Sequence, residues 1–117
     1  MLFRSVGGEQ FSFLNFRDYQ NEAKKTAIYP ENAKLTYPLL GLSGEVGEVC
    51  EKVKKHIRDG RELDKDDLTK ELGDVLWYLS AVANDLGIDL QSVAERNIKK
   101  LKSRQERGVL GGSGDNR

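Results

Sequence analysis

Cysteine and histidine are almost missing from this 117-residue chain: Cys50 and His56 are the only ones. One cysteine excludes an internal disulfide and any multi-cysteine zinc site, and it fits a reducing, cytoplasmic setting. One histidine leaves no room for an imidazole cluster or for the Glu-x-x-His pairs of a di-iron carboxylate bundle. Prolines number two, Pro30 and Pro38. No apolar run approaches the roughly 20 residues of a membrane span. The opening Met1-Leu2-Phe3-Arg4, followed by Gly7, Gly8 and Glu9, lacks the apolar core of a signal peptide. Charge of one sign is lacking too: 19 Lys and Arg offset 19 Asp and Glu. A broad electrostatic grip on nucleic acid or on an anionic membrane is therefore not expected. Catalysis by such a chain has to rest on carboxylates.

What the chain does have is helical periodicity. No run of alternating β-branched residues reads as a strand, and four amphipathic segments are expected over 16–28, 37–59, 65–86 and 90–107. Asn15, Thr36, Asp64 and Asp89 stand at their starts as N-caps. Apolar pairs flank each one, Leu14/Tyr19, Leu35/Leu40, Leu63/Leu68 and Ile88/Val93, in the spacing of a hydrophobic staple. Pro30, Gly60, Gly87 and Gly108 mark the stops. The expected fold is all-α and four-helix-bundle-like. It comprises an N-terminal arm (1–15), a helical domain (16–108) and a Gly-rich C-terminal tail (109–117) whose composition suggests mobility.

Several polar residues break the amphipathic rule. In 65–86 the apolar sector is Leu68, Leu72, Val75, Leu79, Val82 and Leu86; Glu71 falls inside it and Asp74 at its edge. In 37–59 the stripe is Leu39, Leu42, Val46, Val49, Val53 and Ile57. Glu45 and Glu48 line its margin, with Gly41 and Gly44 removing bulk beside them. In 90–107 Asn97 sits within the stripe, with Lys100 and then Arg104 along the margin. A carboxylate on a packing face costs several kcal/mol unless it is neutralised, paired or metal-bound. Four acids with few cations nearby suit a hard, oxygen-seeking divalent cation, Mg²⁺ above all with Mn²⁺ as a substitute. Plainer readings stay open: a solvated edge for Glu45 and Glu48, a salt bridge to a neighbouring subunit for Glu71, a core hydrogen bond for Asn97, and a solvated face for Lys52-Val53-Lys54-Lys55.

Glu45-Val46-Gly47-Glu48, followed by Glu71-Leu72-Gly73-Asp74, resembles the ExxE…ExxD signature of the MazG-like branch of the all-α nucleoside triphosphate pyrophosphohydrolases. Tyr37-Pro38-Leu39-Leu40-Gly41-Leu42-Ser43-Gly44, Asn97-Ile98-Lys99-Lys100-Leu101 and the terminal Gly112-Ser113-Gly114-Asp115-Asn116-Arg117 carry the likeness further. The resemblance implies Mg²⁺-dependent hydrolysis of (deoxy)nucleoside triphosphates to monophosphate and pyrophosphate, through attack of a metal-activated water on the α-phosphorus, in a homodimer or homotetramer. It implies Glu45, Glu48, Glu71 and Asp74 as metal ligands and catalytic residues. Asn97 and Lys100 are implied at the phosphates, and Lys52, on the side of Glu48, is placed to reach them. A phosphoribosyl-ATP pyrophosphohydrolase-like activity and a non-enzymatic helical interaction module are the alternatives.

Overall fold

The computed structural model describes residues 14–117; of the arm expected over 1–15, residues 1–13 lie outside the described part. Four α-helices follow one another: α1 (Phe16–Lys24), α2 (Thr36–Asp59), α3 (Lys65–Asp85) and α4 (Leu90–Glu106), with a short 3-10 turn at Glu31–Ala33 before α2. No strand occurs among the described residues. The chain is all-α, as its periodicity predicts.

Three starts form by local chemistry. The side chains of Asn15, Asp64 and Asp89 accept from the backbone N–H groups of Asp18, Asp67 and Gln91 respectively, each relieving an orphan donor of the first turn. The stops are equally local. Gly60, Gly87 and Gly108 take φ of 68°, 68° and 70°, a left-handed conformation that costs glycine little. After α3 and α4 the amides of Ile88 and Val109 reach back to the carbonyls of Ala83 and Arg104, each at 2.8 Å, as in a Schellman closure.

Two boundaries depart from expectation. α1 ends at Lys24 rather than at 28, because the next turns tighten: the amides of Thr26 and Ala27 bond three residues back. The Thr26 hydroxyl donates to the carbonyl of Ala23 and accepts from the indole N–H of Trp77, each at 2.7 Å, which fixes this end against α3. Thr36 is not an N-cap; it is the first residue of α2, and Leu35 before it sits at φ 66°, ψ −52°. With the amide of Thr36 on the carbonyl of Lys34 at 2.7 Å, this is a strained γ-turn. Asp85 of α3 holds it in place, accepting from the Leu35 amide (2.7 Å) and the Tyr29 hydroxyl (2.8 Å).

α2 and α3 form an antiparallel hairpin, α1 lies across α3, and α4 packs mainly on α1. The α1–α4 junction is polar. Buried Gln20 donates to the carbonyl of Ile88 and accepts from the amide of Leu90, each at 2.8 Å, while Arg17 pairs with Asp89 at 2.8 Å. The tail 109–117 is folded back rather than loose. The Arg117 guanidinium donates to the carbonyls of Val109, Leu110, Gly111 and Gly114, and Arg107 donates to the carbonyl of Arg117.

The α2–α3 seam is not the one the apolar stripe suggests. Apart from Glu51, the less exposed residues of α2 are Pro38, Gly41, Leu42, Glu45, Val49, Lys52 and His56, in a row that recurs every three or four residues, whereas Leu39, Val46, Val53 and Ile57 are exposed. On α3 the matching row is Leu68, Glu71, Val75, Tyr78 and Val82. The pairing thus threads acids through the middle of the seam and turns the most apolar edge of α2 outward. At Gly41 the expected empty space is filled: an added Cβ would fall 2.1 Å from Cε1 of Tyr78, so the ring lies directly on the helix backbone.

Candidate metal centre

The site is built by register. Glu45 and Glu48 are one turn apart on α2, Glu71 and Asp74 one turn apart on α3, and the antiparallel seam brings the two pairs level. Carboxylate oxygens of Glu45, Glu71 and Asp74 lie within 4.8 Å of one another. Glu48 stands outside that tightest group but against Glu71. Glu45 Oε2 and Glu71 Oε2 are both buried and have no hydrogen-bond partner. A buried oxygen without a donor costs free energy, more so when it carries charge. The electrostatics agree. Glu45 is pushed up to about 7, first by its contact with Glu71, then by burial and by Glu48 and Asp74. Glu48 is raised as well, chiefly through Glu71. Two neighbouring acids both shifted upward mark a centre short of positive charge.

One cation does stand there. Lys52, reaching from α2, hydrogen-bonds Asp67 of α3, and its ammonium lies 3.7 Å from Glu71 Oε1. Asp67 first, then Glu71, holds that ammonium above the usual lysine range, against a smaller opposing effect of burial. The lysine run is therefore not simply a solvated face, and the salt bridge weighed for Glu71 forms within the chain. Composition alone gave no sign of it; the signal was the i, i+4 step from Glu48 to Lys52 together with that from Asp67 to Glu71.

The other two residues expected near phosphate lie apart from the acids within this chain. Asn97 lines an apolar groove with Phe16, Leu76, Leu79, Val93 and Ile98, between α1, α3 and α4. Lys100 pairs with Asp115 of the tail at 3.0 Å, and nearly buried Arg104 donates to the same carboxylate at 3.2 Å. An aromatic array flanks the acids. Tyr29 stacks on Tyr37 at 4.8 Å, Tyr37 lies 6.5 Å from Tyr78, and Trp77 meets Tyr78 edge-on at 5.1 Å. Burial, with Tyr37 and Glu45 adding to it, raises the Tyr78 phenol.

Paired acids from two antiparallel helices, in this spacing, coincide with a known domain: residues 35–109 match the MazG nucleotide pyrophosphohydrolase domain. The chain belongs to the MazG family. It thereby falls in the all-α nucleoside triphosphate pyrophosphatase superfamily, whose MazG members generally depend on divalent metals. The protein is also 48% identical over 109 residues to the "Gene 37 protein" of Mycobacterium phage L5, an alignment covering 85% of this chain and 96% of that relative. No solved structure matches it. No helix among the described residues is long and apolar enough to cross a membrane.

Proposed function

We propose that this MazG protein hydrolyses (deoxy)nucleoside triphosphates to the monophosphate and pyrophosphate, with Mg²⁺ as cofactor and Mn²⁺ able to replace it. One observation carries the reading: Glu45 Oε2 and Glu71 Oε2 are buried without any donor, in a group with Asp74 that a hard divalent cation would satisfy. Glu45, Glu48, Glu71 and Asp74 would hold the metal. Bound there, it supplies charge neutralisation for the triphosphate and an acidified water. The chain's own part is positional. The seam fixes the acids on helices, Tyr78 packs on Gly41 one turn before Glu45, and Lys52, beside Glu71, would be a cation within reach of incoming phosphate oxygens.

Asn97 and Lys100 would join the phosphates only if α4 of a second copy met the site, which suits a homo-oligomer. The outward row Leu39, Leu40, Val46, Val53 and Ile57 on α2 supports such an assembly, as do exposed Leu72 and Leu79 on α3.

The test is pyrophosphate release from a panel of ribo- and deoxynucleoside triphosphates, with phosphoribosyl-ATP as the rival substrate, in Mg²⁺ and in chelator. Glu48→Ala and Asp74→Ala should abolish release while the helical circular dichroism persists. Near-normal turnover of either variant at saturating Mg²⁺ removes that residue from the ligand set. Release from phosphoribosyl-ATP alone turns the reading to the rival substrate.

A further inference from the structure

Among the described residues, the four acids of the centre make one ion pair between them, that of Glu71 with Lys52. Its geometry is uneven. The ammonium is hydrogen-bonded to Asp67, but at 3.7 Å from Glu71 Oε1 it acts on that carboxylate through its field alone. Glu71 is the most enclosed member of this trio, with a side chain 16% exposed against 33% for Lys52 and 44% for Asp67. Its other oxygen, Oε2, is buried and free of donors. Lys52 therefore stands between a carboxylate that belongs to the centre and one that does not.

We propose that Lys52 is the internal counter-cation of the metal-free centre, and that Asp67, its hydrogen-bond partner, retains it when a divalent cation takes Glu71. The proposal rests on the reading of the acids as a metal centre. A lysine beside a divalent ion meets like-charge repulsion, yet it stays paired because Asp67 lies one helical turn from Glu71 on the same face of α3. Lys52 thus opposes metal binding and Asp67 favours it, although the two form a single salt bridge. A bridge that the metal does not sense has no such asymmetry, since breaking it from either end costs stability and leaves metal affinity unchanged.

Mn²⁺ binding to the whole chain, measured by titration calorimetry at pH 8, separates the two cases. Lys52→Met should tighten Mn²⁺ binding on the order of tenfold, the scale of one nearby positive charge on a divalent ion. It should also lower the melting temperature in chelator. Lys52→Arg should keep the wild-type affinity. Asp67→Asn, which leaves the ammonium with Glu71 as its ionic partner, should weaken binding. Lys52→Gln carries the same arm if the Met variant loses its helical circular dichroism. Glu71→Gln is the control that should lose binding altogether. If wild type binds Mn²⁺ and Glu71→Gln does not, while Lys52→Met and Asp67→Asn shift affinity in the same direction or not at all, the counter-cation role is overturned and the metal centre stands. If wild type takes up no divalent cation, the metal reading falls, and this proposal with it.

Discussion

Lowering the pH from 8 to 6 should weaken divalent-metal binding about tenfold, through a proton on the acidic centre. Glu45 is pushed up to about 7 from an ordinary 4.5, mainly by Glu71 beside it. A group titrating there is about nine-tenths protonated at pH 6 and about one-tenth at pH 8. A metal must displace that proton, so the competent fraction falls about tenfold across the interval, and binding should release close to one proton at pH 6 and few at pH 8. The raised Glu48 adds to the same trend. Stability follows by linkage. Because the folded state holds the Glu45 proton more tightly than the unfolded chain, this residue's contribution is fully present below pH 4.5 and is lost as pH rises through 7. The metal-free protein should therefore lose melting temperature between pH 5 and 8, and the gain conferred by Mg²⁺ should widen over that range. Glu45→Gln should flatten the metal-free curve. Calorimetry in two buffers of different ionisation enthalpy counts the protons. A metal affinity that is level between pH 6 and 8, with no proton released at pH 6, would refute the reasoning.

Gly41→Ala should destabilise the hairpin, because a Cβ 2.1 Å from Tyr78 Cε1 forces ring or helix aside. Overpacking of about 1–3 kcal/mol outweighs the helix-propensity gain of about 1 kcal/mol. Gly47→Ala, with nothing within 4 Å, should raise the melting temperature instead, so two variants that melt alike would contradict the described seam. Asp85→Ala removes the acceptor of both the Leu35 amide and the Tyr29 hydroxyl, releases the γ-turn, and should cost about 1–3 kcal/mol in denaturant titration. A loss below about 0.5 kcal/mol would mean the turn holds without it. Light scattering at micromolar concentration should find at least a dimer; a folded monomer would leave the outward row of α2 without an explanation.

How much of this was legible in the sequence depended on how far each residue's partner lay along the chain. Asn15, Asp64 and Asp89 cap by reaching two or three residues ahead, and Gly60, Gly87 and Gly108 close helices by their own backbone freedom, so local reading suffices. Thr36 misled because the start of α2 is held by Asp85, about fifty residues away. The acids were legible as a set because an i, i+3 pair on each of two helices is a pattern in one dimension. Lys52 was legible as a cation on the side of Glu48, but its pairing with Asp67 and Glu71 was not, since that depends on how α2 and α3 slide past each other. The stripe of α2 is apolar as read, but its periodicity does not say which element it contacts. Leu39, Val46, Val53 and Ile57 face away from α3, and hydrophobicity does not say which neighbour a face awaits. The pairing of Lys100 with Asp115 was illegible for the same reason: the two meet only after the tail folds back.

All four acids, together with Lys52 and Asp67, belong to one helical hairpin closed by the short connection 60–64. Such a unit has low contact order, and little loop entropy is spent in bringing its strands of charge together. Repulsion among the acids is consequently met early in folding, as the hairpin forms, rather than late, when α1 and α4 dock. A cation that binds the hairpin should then speed refolding and leave the unfolding rate nearly unchanged, because the interaction it relieves is already present at the barrier.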